Sequence, residues 1–406
     1  MRPLFPFLLM TMLLAVSGCG TPERDAAVAP QQSDVAPTDV EQGETDQAPV
    51  ASAEADNGSA LRLAAPAIEG LADDDVGLLA RIHFATHTPD FDRARAFYRE
   101  LGYTEGITGF PLTNTHLMAR ALGMFDVCQY ELAKGEVMAM PQASNPASID
   151  LLQFKTPFNG SPPYERPNHL GIAWAAFATS QFDQDVARLR QLGADFLGPS
   201  FGNSGARFVF FRDPDGVLYK LIEAPVDAAP VGDMHIFDMP YITINVSDME
   251  ESLAFYARLG YVTLGDVVEH RGGLEEAQAY GLEQPFVTRS VDIGITRGDE
   301  HRIRMVQWLE PYDPEPPYPA PINHIGMQRV ALLVTNLDRA VDILKRQDVP
   351  FLSELAPCCS GTGEDTSAIV HAIDPDGVFV ELVGSITPRA PAPHPEWCPP
   401  LEIKVP

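Results

Sequence analysis

Asp90-Phe91-Asp92-Arg93-Ala94-Arg95-Ala96-Phe97-Tyr98, followed by Leu101-Gly102-Tyr103, returns as Asp248-Met249-Glu250-Glu251-Ser252-Leu253-Ala254-Phe255-Tyr256, followed by Leu259-Gly260-Tyr261. The offset is a constant 158 residues, and it also carries Ala121-Leu122-Gly123 onto Ala279-Tyr280-Gly281. A second match joins Asp213-Pro214-Asp215-Gly216-Val217 to Asp374-Pro375-Asp376-Gly377-Val378. Self-similarity over this length marks duplicated domains.

Each half has its own local grammar. Ile82 to Thr88 alternates as a strand, and Asp90 is placed to cap a helix whose Ala94, Phe97, Tyr98 and Leu101 share one face. Gly102 ends that helix, because glycine tolerates the positive φ of a helix terminus. Ser148 to Phe154 reads as a later strand. A second unit begins at His169 with a strand, a helix over Phe182 to Leu192, and strands over Arg207 to Arg212 and Val217 to Glu223. Asp-Pro-Asp-Gly between the last two is a turn: Pro presets φ and Gly accepts the strained corner. Each half therefore reads as two β-α-β-β-β units, four in all. The expected fold class is α+β, with paired-unit barrels at 78–226 and 235–386 and a Pro-rich tail over 387–406.

The 406 residues carry a formal net charge of -28. A surface so acidic repels phosphate, which excludes nucleic acid as a partner. Residues 1–19 stand outside the fold. Arg2 precedes an apolar run too short for a membrane span, ending in Val16-Ser17-Gly18-Cys19. That ending resembles the lipobox of bacterial lipoproteins, which implies acylation of Cys19 and an anchor that does not cross the bilayer. Gly20 follows the cysteine, so the expected address is the bacterial cell envelope, on the outer membrane facing the periplasm. Residues 20–77 are rich in Ala, Pro, Gln, Asp and Glu and read as a flexible acidic tether. Of the remaining cysteines, Cys398 in the tail could bridge to Cys358 or Cys359; free thiols, Cys128 included, stand as the other reading.

The duplicated Ala-Phe-Tyr and Leu-Gly-Tyr strings, with Asp-Pro-Asp-Gly, resemble the vicinal-oxygen-chelate superfamily. It includes glyoxalase I, methylmalonyl-CoA epimerase, extradiol dioxygenases and bleomycin- or fosfomycin-resistance proteins. The resemblance covers about residues 78 to 386. It implies cups that hold a divalent metal through a histidine on the first strand of each unit and a carboxylate late in each unit, the metal chelating adjacent oxygens of a substrate.

Carried onto the first half, that pattern assigns His83, seven residues before Asp90, His169 in the second unit, and Asp150 as the late-strand carboxylate. Two histidines and one carboxylate suit Fe or Mn, with Zn or Ni as further candidates. Lys220 stands where the family has its second carboxylate, and an ammonium donates but cannot accept a metal bond. Lys220 and His87 are the acid-base candidates; His87 shares the strand face of His83. In the second half the same positions hold Tyr241, Arg304, Arg329 and Glu381, a set suited to an anion or to a structural Arg-Glu cluster rather than a metal. His301, His324 and His371 read as surface or structural residues. The stretch from Thr115-His116 to Gly123 resembles an insert over the cup mouth.

Two functions stay open. One is a metal-dependent lyase, isomerase or dioxygenase acting in the first barrel on a small molecule with vicinal oxygens. The other is metal-free small-molecule binding of the bleomycin-resistance kind, or a scaffold.

Overall fold

The computed structural model describes residues 72–107, 114–143, 148–224, 233–296, 301–357, 365–390 and 393–399. Cys19, most of the tether, Cys358 and Cys359 lie outside the described residues.

Four units follow one another. The first holds β1 (Leu78–His87), α1 (Phe91–Glu100), β2 (Glu105–Ile107), α2 (His116–Ala121), β3 (Glu131–Ala139) and β4 (Ser148–Thr156). The second holds β5 (Gly171–Thr179), α3 (Phe182–Gln191), β6 (Asp195–Phe196), β7 (Phe208–Arg212) and β8 (Leu218–Glu223). The third holds β9 (Ile236–Asn245), α4 (Met249–Arg258), β10 (Val262–Thr263), β11 (Val268–Gly272), α5 (Leu274–Ala279), β12 (Phe286–Gly294) and β13 (Arg302–Glu310). The fourth holds β14 (Gly326–Val334), α6 (Leu337–Arg346), β15 (Ala356–Pro357), β16 (Asp365–Ile373) and β17 (Phe379–Arg389).

Local chemistry accounts for the boundaries. The Asp90 carboxylate accepts from the Arg93 N–H at 3.2 Å, and Asp248 accepts from the Glu251 N–H at 2.9 Å, so both repeats cap their helices as expected. Gly102 and Gly260 end α1 and α4 at φ +104° and +103°, a region a side chain would strain. In the two Asp-Pro-Asp-Gly turns the first carboxylate accepts backbone N–H groups two and four residues on: Asp213 from Asp215 and Val217, Asp374 from Asp376 and Val378.

The α+β class and the four paired units stand, but the pairing runs across the halves. One eight-stranded sheet has the order β15-β16-β17-β14-β1-β4-β3-β2, and one nine-stranded sheet contains β10-β12-β13-β9-β5-β8-β7-β6 with β11 beside β12. The first strands meet antiparallel: β1 runs against β14, with His83 opposite Ala331, and β5 against β9, with Ala175 opposite Ile242. The outer units (first and fourth) thus share one cup and the inner units (second and third) share the other. The segments 78–226 and 235–386 do not each close a sheet of their own. All four first strands are largely buried and mix apolar residues with a few polar ones, so their periodicity carries no label for the partner.

Consecutive units are tied instead through the repeated motif. The Tyr98 hydroxyl on α1 donates to Asp213 at 2.7 Å in the second unit's turn, and Tyr256 on α4 donates to Asp374 at 3.3 Å in the fourth unit's turn. Burial pushes Asp213 and Asp374 up to about 7, against the hydrogen bonds each accepts. One continuous apolar core, including Phe84, Tyr98, Phe177, Tyr219, Tyr256 and Leu332, joins helices to sheets. No helix among the described residues is long and apolar enough to cross a membrane.

Cys128 is bonded to Cys398, so the tail is pinned to the segment that follows α2 rather than to Cys358 or Cys359.

Candidate functional site

The four units place equivalent residues at two recurring positions. The first lies seven residues before each helix cap: His83, Trp174, Tyr241 and Arg329, counted from Asp90, Gln181, Asp248 and Asn336. The second lies on the neighbouring parallel strand: Asp150 beside Ala85, Lys220 beside Ala176, Arg304 beside Thr243 and Glu381 beside Ala331. The outer-unit cup therefore brings together His83, Asp150, Arg329 and Glu381. The inner-unit cup brings together Trp174, Lys220, Tyr241 and Arg304.

Two expectations change here. His169 is not at a first-strand ligand position, because β5 starts at Gly171 and the position belongs to Trp174. His169 and His324 instead open matching strings, Asn168-His169-Leu170-Gly171 and Asn323-His324-Ile325-Gly326, just before β5 and β14. Each imidazole Nδ1 approaches the next residue's carbonyl, at 2.6 and 2.9 Å. His169 stacks on Tyr164 with ring centroids 4.1 Å apart, and His324 lies beside Tyr164 and Tyr318. Burial, helped by His169, lowers His324 to about 4. Lys220, expected to share a cup with His83 and Asp150, stands in the other cup.

In the outer-unit cup Arg329 takes the centre. Its guanidinium donates to Asp150 at 2.8 Å and to Glu381 at 2.7 Å, and all three residues are buried. His83 Nε2 lies 3.6 Å from Glu381. Burial alone would raise the Glu381 carboxyl, but Arg329, His83 and His371 together hold it well below the usual carboxylate range. Burial prevails at Asp150, which is raised despite Arg329 and His83. His87 packs on Phe154 at 4.5 Å in the same cup, and burial, then the charges of Arg329 and His324, hold its imidazole well below the ordinary histidine value. His371, expected at the surface or in a structural role, is fully buried directly opposite Glu381 and is lowered by burial to about 4. Counting outward from Asp374 and Val378, which close the turn, pairs 371 with 381, and that hairpin arithmetic was the available signal. Helix α2 sits in the small apolar clusters of this cup, with Ala119 beside Tyr130 and Phe154 and Ala121 beside Ala331 and Ile369.

The donor set does not fit a divalent metal. Of the four positions one is a guanidinium, which has no lone pair to give and whose positive charge occupies the space between the two carboxylates, bonded to one oxygen of each. Among the described residues no group of three or more His, Cys, Asp or Glu is arranged to hold a metal ion. A cation is built into the chain where the family pattern implies an exchangeable one.

The inner-unit cup is aromatic and cationic. Trp174, Phe210, Phe286 and Trp308 form its buried wall, with Phe208 and Tyr280 packed against them. Lys220 Nζ lies 3.9 Å from the Phe208 ring centre and 3.5 Å from the Tyr280 hydroxyl. Arg304 stacks over Tyr241 at 3.9 Å and donates to Asp292 at 2.7 and 2.9 Å. Arg304 also lines a pocket of about 410 Å³ with Arg302, Asp292, Ser290 and Asp266.

Residues 81–221 and 238–382 match the sequence profile of the Glyoxalase/Bleomycin resistance protein/Dioxygenase superfamily. A lactoylglutathione lyase from Schizosaccharomyces pombe is 23% identical over 217 residues, 52% of this chain. That match spans 66% of the yeast protein's length. Glyoxalase I from Zea mays is 15% identical, with 75% of this chain and 92% of the maize chain covered at a TM-score of 0.48. A putative dioxygenase from Bacillus subtilis is 9% identical, with 76% and 86% covered at a TM-score of 0.45. With four repeated units, paired cups and both halves matched, the chain belongs to the glyoxalase/bleomycin resistance/dioxygenase superfamily of vicinal-oxygen-chelate proteins.

Proposed function

We propose that the protein is a metal-free small-molecule-binding member of the superfamily, taking its ligand in the inner-unit cup, rather than a metal-dependent lyase, isomerase or dioxygenase. The observation that carries this reading is Arg329, whose guanidinium spans Asp150 and Glu381 and pairs with an oxygen of each. The yeast relative's name would suggest a lyase, but with Arg329 paired to both carboxylates the outer-unit cup does not offer an open donor set for Fe, Mn, Zn or Ni among the described residues. The inner-unit cup has what a binding site needs: an aromatic wall, two cationic groups and an adjoining pocket.

Elemental mass spectrometry of the protein purified without chelators tests the reading. The wild type is expected to carry no stoichiometric metal. Arg329→His places an imidazole donor beside His83, Asp150 and Glu381, and that variant is expected to acquire a divalent metal. Stoichiometric metal in the wild type, lost on replacing His83, would sink the proposal.

The cellular setting is part of the same proposal: a lipid anchor on Cys19 holds the protein to the bacterial outer membrane, facing the periplasm. The Val16-Ser17-Gly18-Cys19 string supports it, as does the Cys128–Cys398 bond, which suits an oxidising compartment. Cys19→Ser is expected to move the protein from the membrane fraction to the soluble fraction; unchanged partition would count against the anchor.

A further inference from the structure

Lys220 is the one buried lysine among the described residues, and its surroundings are unusual for a cation. The rings of Phe208, Phe210 and Tyr280 stand 3.9, 5.2 and 5.4 Å from its Nζ. Its polar contact is the Tyr280 hydroxyl at 3.5 Å, the outer limit of a hydrogen bond. No carboxylate forms an ion pair with it among the described residues. The charged groups that act on it are Arg304 from β13, which repels it, and Glu276 from α5, which attracts it. Aromatic faces compensate a buried ammonium only in part.

Burial and Arg304 lower the lysine to about 7, so a large share of it is free amine at neutral pH. A lysine desolvated by apolar walls and placed near a second cation is an arrangement that makes an amine nucleophilic. Arg304 spends donors on Asp292 but keeps others, and it borders the open pocket with Arg302.

We propose that Lys220 is a nucleophilic amine that captures the carbonyl carbon of a small aldehyde or ketone bearing an anionic group, with Arg304 holding the anion. The inference rests on the reading above that the inner-unit cup binds a small molecule, and it names the ligand class. The Nζ lone pair adds to the carbonyl carbon, and the C=O π pair moves to oxygen, which takes up a proton to give a carbinolamine. That proton comes from the nitrogen; the second nitrogen proton then goes to the hydroxyl, which leaves as water while the nitrogen lone pair forms the C=N bond of the imine. The Tyr280 hydroxyl is the group on hand to relay these protons. No oxidant or reductant is consumed.

The test is reductive trapping on the full chain. The protein is incubated near neutral pH with glyoxylate, pyruvate or uncharged acetaldehyde, then reduced with cyanoborohydride and mapped by peptide mass spectrometry. Lys134, Lys155 and Lys345, all exposed, are internal comparators. Lys220 is expected to be labelled at least about tenfold faster than the comparators, because their amines are almost wholly protonated at that pH. The two anionic carbonyls are expected to outpace acetaldehyde, and Arg304→Met to erase that preference. Lys220→Arg, checked for folding by circular dichroism, should lose the adduct. Labelling spread over the exposed lysines with Lys220 last overturns the proposal. Calorimetry with pyruvate in the absence of reductant separates the two levels. Pyruvate binding without an adduct on Lys220 overturns the covalent step and leaves the binding reading in place; neither binding nor adduct overturns both.

Discussion

Replacing Arg329 with alanine tests the claim that its guanidinium serves as a built-in cation. Asp150, Arg329 and Glu381 are 6, 5 and 4% exposed, so no solvent stands ready to replace the lost charge. Removing one member of such a buried, hydrogen-bonded set costs about 3–5 kcal/mol. The pH dependence should reverse as well. In the wild type Glu381 titrates below its unfolded value, so its contribution is present above about pH 4.3 and is lost only in strong acid. Without Arg329, burial is left to dominate both carboxyls and lifts them above their unfolded values. The variant should then be least stable at high pH and should recover as pH falls toward that of the unfolded carboxyls. Urea unfolding of both proteins at mildly acidic and mildly alkaline pH measures this. A loss below about 1 kcal/mol at alkaline pH, or one that does not shrink in acid, would refute the reasoning. Replacing all three with apolar residues of similar volume should restore stability to near wild type, because the desolvation cost disappears with the charges.

Two other outcomes are expected. Asp213, raised to about 7 in the fold, contributes stability that is full below about pH 3.9 and is lost as pH rises through 7. Asp213→Asn should remove that slope, so its stability relative to wild type should improve between acid and pH 8; an unchanged slope would exclude Asp213 as its source. Cys398→Ser should free the tail to protease and lower stability by at most about 6 kcal/mol, the chain-entropy limit for so long a loop. A tail equally protected in the reduced protein would show that packing rather than the bond holds it.

Much of the site was readable once the helix caps were used as rulers. Counting seven residues back from Asp90 and Asp248 reaches His83 and Tyr241, and the same count from Asn336 reaches Arg329. Applied to the second unit it reaches Trp174, whereas His169 drew attention because histidine is the residue type a metal needs. His371 was within reach by hairpin arithmetic around its turn, since a tight turn dictates which residues face each other. The disulfide was beyond such counting: Cys128 and Cys398 are 270 residues apart, and nothing local relates them.

The sequence by itself determined the four units, their caps and turns, and the superfamily, because these follow from propensities and periodicities that act over a few residues. It also determined which side chains occupy the first-strand ligand positions, because those lie a fixed seven residues before the helix caps. Only the tertiary structure decided which positions share a cup. The first strands are alike in apolar character, so strand edges carry no address, and the choice rests on how whole units pack through contacts such as Tyr98 to Asp213. That choice sends Arg329 to Asp150 and Glu381, and it sends Lys220 to Arg304 and the aromatic wall.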